Sequence, residues 1–202
     1  MKEKDLITMS KIVSIICSPF LMPLVGVLLL FIFSYLTLLN WQMKLYIIII
    51  FLLFTIMLPL TLIRIYCRHK GWSMTELKER KKRLVPFIFC ILSYLLGYYI
   101  LSSNHMPYTI TCIIIASIVI QVICAIIHRW WHISVYCAAI GGVLGAIIAF
   151  SRVFVFNPVW WMCLIILIAG LVGTSRMVLK KHTLGQVVAG FLLGVACTII
   201  VI

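Results

Sequence analysis

The chain has 202 residues, of which 65% are hydrophobic and only 10% are charged. A soluble globular domain carries about 25% charged residues, so this composition excludes an ordinary soluble domain. The net charge of +13 would suit a nucleic-acid binder. Because the basic residues are not interleaved with exposed aromatic residues, however, we expect no nucleic-acid partner.

Long apolar runs follow one another along the chain, and a membrane-spanning helix needs about 20 such residues. They predict an all-α, polytopic membrane helical bundle with about six to seven transmembrane helices in a single integral membrane domain, residues 1–202. The run 158–173 is short, so three alternatives stay open: it tilts, continues into the basic stretch that follows, or only dips into the bilayer. The runs cover residues 12–39, 45–66, 85–101, 108–127, 133–150, 158–173 and 184–202.

The N-terminal stretch MKEKDLITMSK carries charge but has no small-residue cleavage site before a short apolar core. The run that follows is too long for a cleavable signal peptide. We therefore predict that residues 12–66 form two N-terminal helices. The eight cysteines show no CxxC spacing, and those inside the apolar runs are expected to act as small packing side chains.

The basic residues are distributed unequally between the two faces that seven spans would create. One face would receive 15 of the 17 lysines and arginines, and the other only Lys44 and Arg152. Cytoplasmic loops are the ones enriched in lysine and arginine, so the crowded face is predicted to be cytoplasmic. Anionic lipid headgroups are the simplest partners for it.

Three polar islands fall on that face, at residues 73–86, 128–136 and 173–190. In the first, Ser73 and Glu76 have the spacing of a capping box, which predicts a short interfacial helix. In the second, His128 and His132 have a spacing that suits a metal. No third ligand is nearby, so interfacial histidines are favoured and we expect neither metal nor cofactor.

The glycines of the last spans predict close helix packing; they are Gly141, Gly142, Gly145, Gly190 and Gly194.

The third island places Arg176, Lys180, Lys181 and His182 within seven residues. Gln186 follows His182 by four, so on a helix it shares a face with the imidazole and can orient it by a hydrogen bond. An arginine fork beside a helix N-terminus favours a phosphate. The alternative is a juxtamembrane basic cluster that holds lipid headgroups.

From about residue 75 to the C-terminus the chain resembles the type-2 phosphatidic acid phosphatase superfamily of membrane lipid-phosphate phosphatases. The family's third motif is S-R, five residues, H, three residues, D. The matching positions are Ser175, Arg176, His182 and Gln186. Gln186 replaces the family's aspartate, and HTLGQVVAGFLLG looks like a variant branch that carries this change.

The other two motifs match less closely. The second, P-S-G-H, falls on residues 133–136, where only Ser134 agrees and Tyr136 replaces the histidine. The first, K, six residues, R-P, is matched loosely by KERKKRLVP: Arg83 agrees, but Glu76 occupies the lysine position. The resemblance thus covers residues 75–202, a phosphatase-like core.

The resemblance implies a phosphohistidine mechanism in which His182 attacks phosphorus. The residues implied to bind the phosphate are Arg176, Arg83, Lys82, Lys78, Ser134 and Ser175. Tyr136 would stand in for the general acid, although a phenol with a pKa near 10 is a poor proton donor. Gln186 would support the nucleophile, and any supporting carboxylate must be Glu76 or Glu79 because no acidic residue follows.

Two functions are therefore weighed. The first is a lipid-phosphate phosphatase that hydrolyses a phosphomonoester or pyrophosphate of a lipid in the bacterial inner membrane. The second is a non-catalytic lipid-phosphate binder or scaffold on the same fold, which the changes at Tyr136 and Gln186 favour. Either function is compatible with a homo-oligomer.

Overall fold

The computed structural model describes residues 3–71 and 84–202, and every regular element in this part of the chain is helical. A short 3₁₀ helix, Tyr35–Leu38, follows the second α-helix. The α-helices are α1 (Glu3–Ile16), α2 (Met22–Phe33), α3 (Trp41–Leu52), α4 (Leu58–Lys70), α5 (Leu84–Ser103), α6 (Tyr108–His128), α7 (Val135–Phe154), α8 (Val159–Val178) and α9 (Leu184–Val201).

The helix lengths confirm an integral membrane bundle. In the described ranges, six helical segments are long and apolar enough to cross a bilayer. A π-helical turn, Leu53–Met57, joins α3 and α4 into one span, Trp41–Lys70. The short run 158–173 lies within α8, whose 20 residues are enough for a crossing.

The first predicted span is wrong in detail, because residues 12–39 do not form one helix. Helix α1 ends at Ile16, a turn occupies residues 17–21, and α2 resumes at Met22 for only 12 residues. Pro19 and Pro23 explain the break, since proline lacks the N–H that continues a helix and disfavours helical geometry in the preceding residue. At 1.5 Å per residue, α2 is about 18 Å long, shorter than the roughly 30 Å hydrocarbon core.

The turns gather at two ends of the bundle. At one end, which we call the basic end, lie the turns 17–21, 129–134 and 179–183, joined by contacts such as that between His182 and the backbone of His132. At the other end, Phe33 of α2 stacks on Phe156 of the α7–α8 turn with ring centroids 4.4 Å apart. The second and third polar islands therefore converge, as the sequence predicts.

Helices α7 and α9 run parallel and pack through their glycines, which confirms the predicted close approach. A Cβ added to Gly190 would lie 2.6 Å from the carbonyl oxygen of Ser134, and one on Gly145 would lie 2.7 Å from that of Val195. One on Gly194 would overlap the carbonyl of Ala138. Because the helices are parallel, both begin at the basic end, where the N–H of Ser134 donates to the carbonyl of Gln186 at 3.3 Å.

The cysteines act as packing side chains, as predicted. All eight are free thiols, and six of them are buried. Three of the buried ones, Cys124, Cys137 and Cys197, lie in the apolar clusters that hold α7 and α9 against the neighbouring helices.

Candidate functional site

A cavity of about 220 Å³ opens at the basic end of the bundle. It lies where the break after α1, the start of α5, the end of α6, the start of α7 and the α8–α9 turn meet. Its polar lining residues are Gln121, His128, Tyr136, Arg176 and His182. Its apolar and thiol lining residues are Pro19, Phe20, Pro86, Phe87, Cys90, Ile133 and Val135.

A tight turn after α8 returns the chain so that Arg176 and His182 line the same cavity. The N–H of Lys181 donates to the carbonyl of Arg176 at 3.1 Å, and that of Lys180 donates to the carbonyl of Met177 at 2.8 Å. These two bonds are those of a Schellman motif. Its left-handed position is taken by Lys180, with φ of 51°, rather than by the usual glycine.

Arg176 is a buried cation whose charge is not neutralised by a carboxylate in the described ranges. Its side chain is only 4% exposed, and its Nε has no hydrogen-bond partner among the described residues. The guanidinium carbon lies 4.0 Å from the centroid of the Tyr136 ring. A cation–π contact contributes about 2 kcal/mol when desolvated, less than the several kcal/mol that burying an ion costs. The site therefore favours an anionic ligand.

The hydrogen bonds of His182 fix its tautomer. Its Nδ1 lies 3.3 Å from Oε1 of Gln186 and 3.2 Å from the carbonyl oxygen of His132. Oε1 also accepts the N–H of Thr183 at 3.2 Å, which identifies it as the oxygen of the amide. Because both described neighbours of Nδ1 are acceptors, Nδ1 carries a proton and donates it; in the neutral form of the ring the lone pair then lies on Nε2.

The hydrogen bond between His182 and Gln186 confirms the contact predicted from their spacing. Its geometry adds that Gln186 lies at the third position of α9 and caps the helix through Thr183. Capping of this kind is the ordinary role of glutamine or glutamate at that position. Gln186 thus stabilises the start of α9 and orients the imidazole with the same oxygen.

Two of the predicted phosphate ligands do not line the cavity. Ser134 is fully buried and its hydroxyl donates to the sulfur of Cys137 at 3.3 Å. The hydroxyl of Ser175 donates to the carbonyl of Leu171, one turn earlier in α8, at 2.7 Å. Tyr136 does line the cavity, with its ring face against Arg176.

Five other predicted site residues lie outside the described residues: Lys78, Lys82 and Arg83, and the acidic Glu76 and Glu79. The predicted capping box at Ser73 lies outside them too. Arg176 and His182 line the same cavity, and an anion pocket shared by Arg83, Arg176 and His182 stays a prediction. Pro86, three residues after Arg83, lines the cavity.

Sequence reasoning missed two polar lining residues. His128 was interpreted as an interfacial histidine, and it is the last residue of the α6 span, but its burial in the cavity was missed: its side chain is only 2% exposed. The turn after α6 begins there, so His128 and His132 do not share a helix face, although their ring centroids lie 4.2 Å apart. Gln121 lies inside an apolar span, and a polar residue there is itself a signal, since such residues face the bundle interior.

Among the described residues, those that line the cavity are positive or neutral. The chain has no acidic residue after Glu79, and two parallel helices, α7 and α9, begin beside the cavity. A helix N-terminus carries about half a positive charge, and its N–H groups suit an anion. Over the described ranges, no three or more His, Cys, Asp or Glu side chains are placed to hold a metal ion.

Comparison of the chain with models of known protein families, with curated proteins and with solved structures gave no match. The site is therefore interpreted from its own geometry and chemistry.

Proposed function

We propose that this protein is a membrane lipid-phosphate phosphatase with His182 as the nucleophile. The observation that supports the proposal best is the buried Arg176, which lacks a carboxylate partner among the described residues and shares one cavity with a histidine of fixed tautomer. A phosphate supplies the missing negative charge, since the arginine fork matches its oxygens. The bundle keeps this site at the membrane, where lipid phosphates are found.

The tautomer of His182 suits attack on phosphorus. With the proton on Nδ1, the lone pair of Nε2 forms the bond to phosphorus. The ring then becomes positive, and the acceptors at Nδ1, the amide oxygen of Gln186 and the carbonyl of His132, stabilise that charge. Arg176 neutralises the phosphoryl oxygens, and the sequence adds Arg83, Lys82 and Lys78 as further cations for this role.

The cavity walls suit a lipid rather than a free sugar phosphate. Phe20, Phe87 and Ile133 line the same cavity as Arg176, so an apolar part of a ligand can contact its walls beside a charged headgroup. A ligand pocket of this kind, largely apolar with a few polar groups, is typical of small-molecule sites. The proposed substrates are phosphatidic acid, phosphatidylglycerophosphate, a polyprenyl pyrophosphate or a phosphorylated saccharolipid.

The decisive experiment measures phosphate release by purified protein in detergent from each of these four lipids. We expect at least one substrate to be hydrolysed, and His182→Ala to abolish the activity. Thermal unfolding of both proteins shows whether the variant is folded. A wild-type protein no faster than folded His182→Ala on every substrate would refute the phosphatase.

A non-catalytic lipid-phosphate binder is the second candidate, and two contacts favour it. The ring of Tyr136 stacks on Arg176, where the resembled family has a proton donor, and Gln186 is occupied with capping α9. A binder is expected to be stabilised against thermal unfolding by lipid phosphates without hydrolysing them. The binder therefore predicts an Arg176-dependent shift in unfolding temperature together with no release of phosphate.

A further inference from the structure

The cavity contains a second buried imidazole for which neither proposed function has a role. His128 is the last residue of α6, and it lines the same cavity as Arg176 and His182. Its ring packs between Phe87, at a centroid distance of 5.9 Å, and His132, at 4.2 Å. The ring of His132 in turn lies 6.2 Å from that of His182. The imidazole rings of His128, His132 and His182 thus form a row, and the first and last of them line the cavity.

Hydrolysis of a lipid phosphomonoester requires a proton for the leaving alcohol. A phosphate attached to an alkyl alcohol leaves as a strongly basic alkoxide unless a positioned acid protonates it. Tyr136 is poorly suited to this task, since a phenol has a pKa near 10. An imidazolium, with an ordinary pKa of about 6.5, is a much better donor near neutral pH.

We infer that His128 is the general acid of the reaction and that lipid phosphomonoesters are the substrates whose hydrolysis depends on it; this inference rests on the proposed phosphatase function. In the first step, Nε2 of His182 bonds to phosphorus while the phosphorus–oxygen bond to the lipid breaks. The proton of the His128 imidazolium moves to that oxygen, which leaves as the alcohol. The products of this step are phosphohistidine and a neutral His128.

The second step restores both histidines. Neutral His128 takes a proton from the water that attacks phosphorus, and the bond between phosphorus and Nε2 of His182 breaks. Inorganic phosphate leaves, His128 is an imidazolium again, and the whole cycle consumes one water per ester. The same residue acts as acid and then as base, as microscopic reversibility requires.

His132 has a different role in this arrangement. It does not line the cavity, its backbone carbonyl accepts a hydrogen bond from Nδ1 of His182, and its ring packs on His128. We assign it as a positioning residue that holds the two histidines at their separation. The general acid is thus supplied by the end of α6 rather than by the start of α7.

The test uses two lipids that differ by one phosphoryl group, phosphatidic acid and diacylglycerol pyrophosphate. The first must expel an alkoxide, whereas the second expels a phosphate group whose pKa is about 6, so it needs no proton. We expect His128→Asn to lower kcat/KM for phosphatidic acid by about 10²- to 10⁴-fold and to change the initial rate on the pyrophosphate by only a few-fold.

Two further variants complete the experiment. His128→Phe keeps a ring against Phe87 and is expected to give the same selective loss if His128→Asn does not fold. His105→Asn is the matched control, because His105 is exposed at the opposite end of the bundle with φ of 51°, which asparagine tolerates. It is expected to hydrolyse both lipids at the wild-type rate.

The outcomes separate this inference from the proposed function. Equal losses on the two lipids, or no loss on phosphatidic acid, would overturn the role of His128 while leaving the phosphatase in place. A wild-type protein that hydrolyses neither lipid, nor any other lipid phosphate in excess of His182→Ala, would overturn both.

Discussion

The side-chain oxygen of Gln186 lies 3.3 Å from Nδ1 of His182 and is held there by the N–H of Thr183 at 3.2 Å. The amide therefore presents its oxygen, not its nitrogen, to the imidazole. In the serine proteases, replacing the aspartate behind the catalytic histidine by asparagine lowers turnover by about 10⁴ because it imposes the wrong tautomer. The capping contact in this protein presents an acceptor to Nδ1, as a carboxylate would, so in the proposed phosphatase Gln186 differs from a carboxylate in charge and not in tautomer.

In the proposed phosphatase, replacing Gln186 by a carboxylate of the same length is expected to accelerate hydrolysis. In Gln186→Glu the capping oxygen remains and the hydrogen bond to the developing imidazolium becomes charge-assisted, which roughly doubles its strength. A gain of about 1 kcal/mol corresponds to a rise in kcat of about 5-fold. Gln186→Leu loses both contacts and is expected to lower kcat by about 10- to 100-fold. Single-turnover rates measure the change, and a Gln186→Glu protein slower than wild type would contradict this account.

Arg176 is expected to stabilise the complex with phosphate and to lower the stability of the protein without a ligand. Because its burial is not offset by a carboxylate in the described ranges, replacing it by a similar apolar side chain removes a desolvation cost of several kcal/mol. Arg176→Met should therefore unfold at an equal or higher temperature than wild type without ligand. It should also lose the stabilisation that vanadate or phosphate gives.

The matched control is Arg68→Met, since Arg68 is exposed on α4. It should leave both the unfolding temperature and the phosphate-induced shift near those of wild type. If Arg176→Met lowered the unfolding temperature and retained the shift, Arg176 would be a structural residue rather than a ligand.

Much of the fold follows from local patterns, and the exceptions have identifiable causes. Apolar runs predicted the spans from Trp41 to Val201 because length and hydropathy alone decide whether a helix can cross a bilayer. Glycine spacing predicted the α7–α9 contact because only small residues let two backbones approach. The run 12–39 was misinterpreted because hydropathy ignores the backbone effect of Pro19 and Pro23.

The site was only partly predictable because its residues come from distant parts of the chain. The contact between His182 and Gln186 is local, although His182 precedes α9 and the capping box at Thr183, not a shared helix face, brings the amide oxygen to the imidazole. The burial of His128 depends on α5 and α7 packing around the end of α6, which no local pattern encodes. The hydroxyls of Ser134 and Ser175 matched a motif, yet local hydrogen bonds to a sulfur and a carbonyl occupy them.

The parallel packing of α7 and α9 makes Gly194 intolerant of a side chain. A Cβ at Gly194 would overlap the carbonyl of Ala138, a backbone atom that cannot rotate away. We expect Gly194→Ala to destabilise the protein by about 1–3 kcal/mol or more, the usual cost of overpacking. Gly170→Ala is the control, because a Cβ at Gly170 has no neighbour within 4 Å.

At Gly170, alanine is expected to stabilise α8 by about 0.5–1 kcal/mol through its better helix propensity. Thermal unfolding in one detergent compares the two variants. Equal stabilities would mean that α7 and α9 are not as close as the glycine contacts require.

The turn between Arg176 and His182 contains backbone strain at Lys180. Its φ of 51° places a residue with a Cβ in the left-handed region, which costs about 1–2 kcal/mol for a residue other than glycine. Lys180→Gly should relieve part of this cost and raise the unfolding temperature, whereas Lys180→Ala removes the charge but keeps the strain. An unfolding temperature for Lys180→Ala as high as that for Lys180→Gly would show that the lysine charge, not φ, limits stability.

The membrane orientation of the site follows from the distribution of charge between the ends of the bundle. Because the sequence assigns 15 of the 17 lysines and arginines to the same predicted face as Arg176 and His182, the positive-inside rule predicts that the cavity faces the cytoplasm. Lys70 and Arg152 are exposed positions near opposite ends of the bundle. Either can be replaced by cysteine in a protein whose eight native cysteines, all free thiols, have been changed to alanine or serine.

An impermeant maleimide added to intact cells is expected to label Arg152→Cys and to spare Lys70→Cys until the membrane is permeabilised. The opposite pattern would place the Arg176–His182 cavity outside the cytoplasm, where it would meet lipid phosphates of the outer leaflet. The basic residues of that end would then be retained for phosphate binding rather than for topology, because the positive-inside rule acts through cytoplasmic loops.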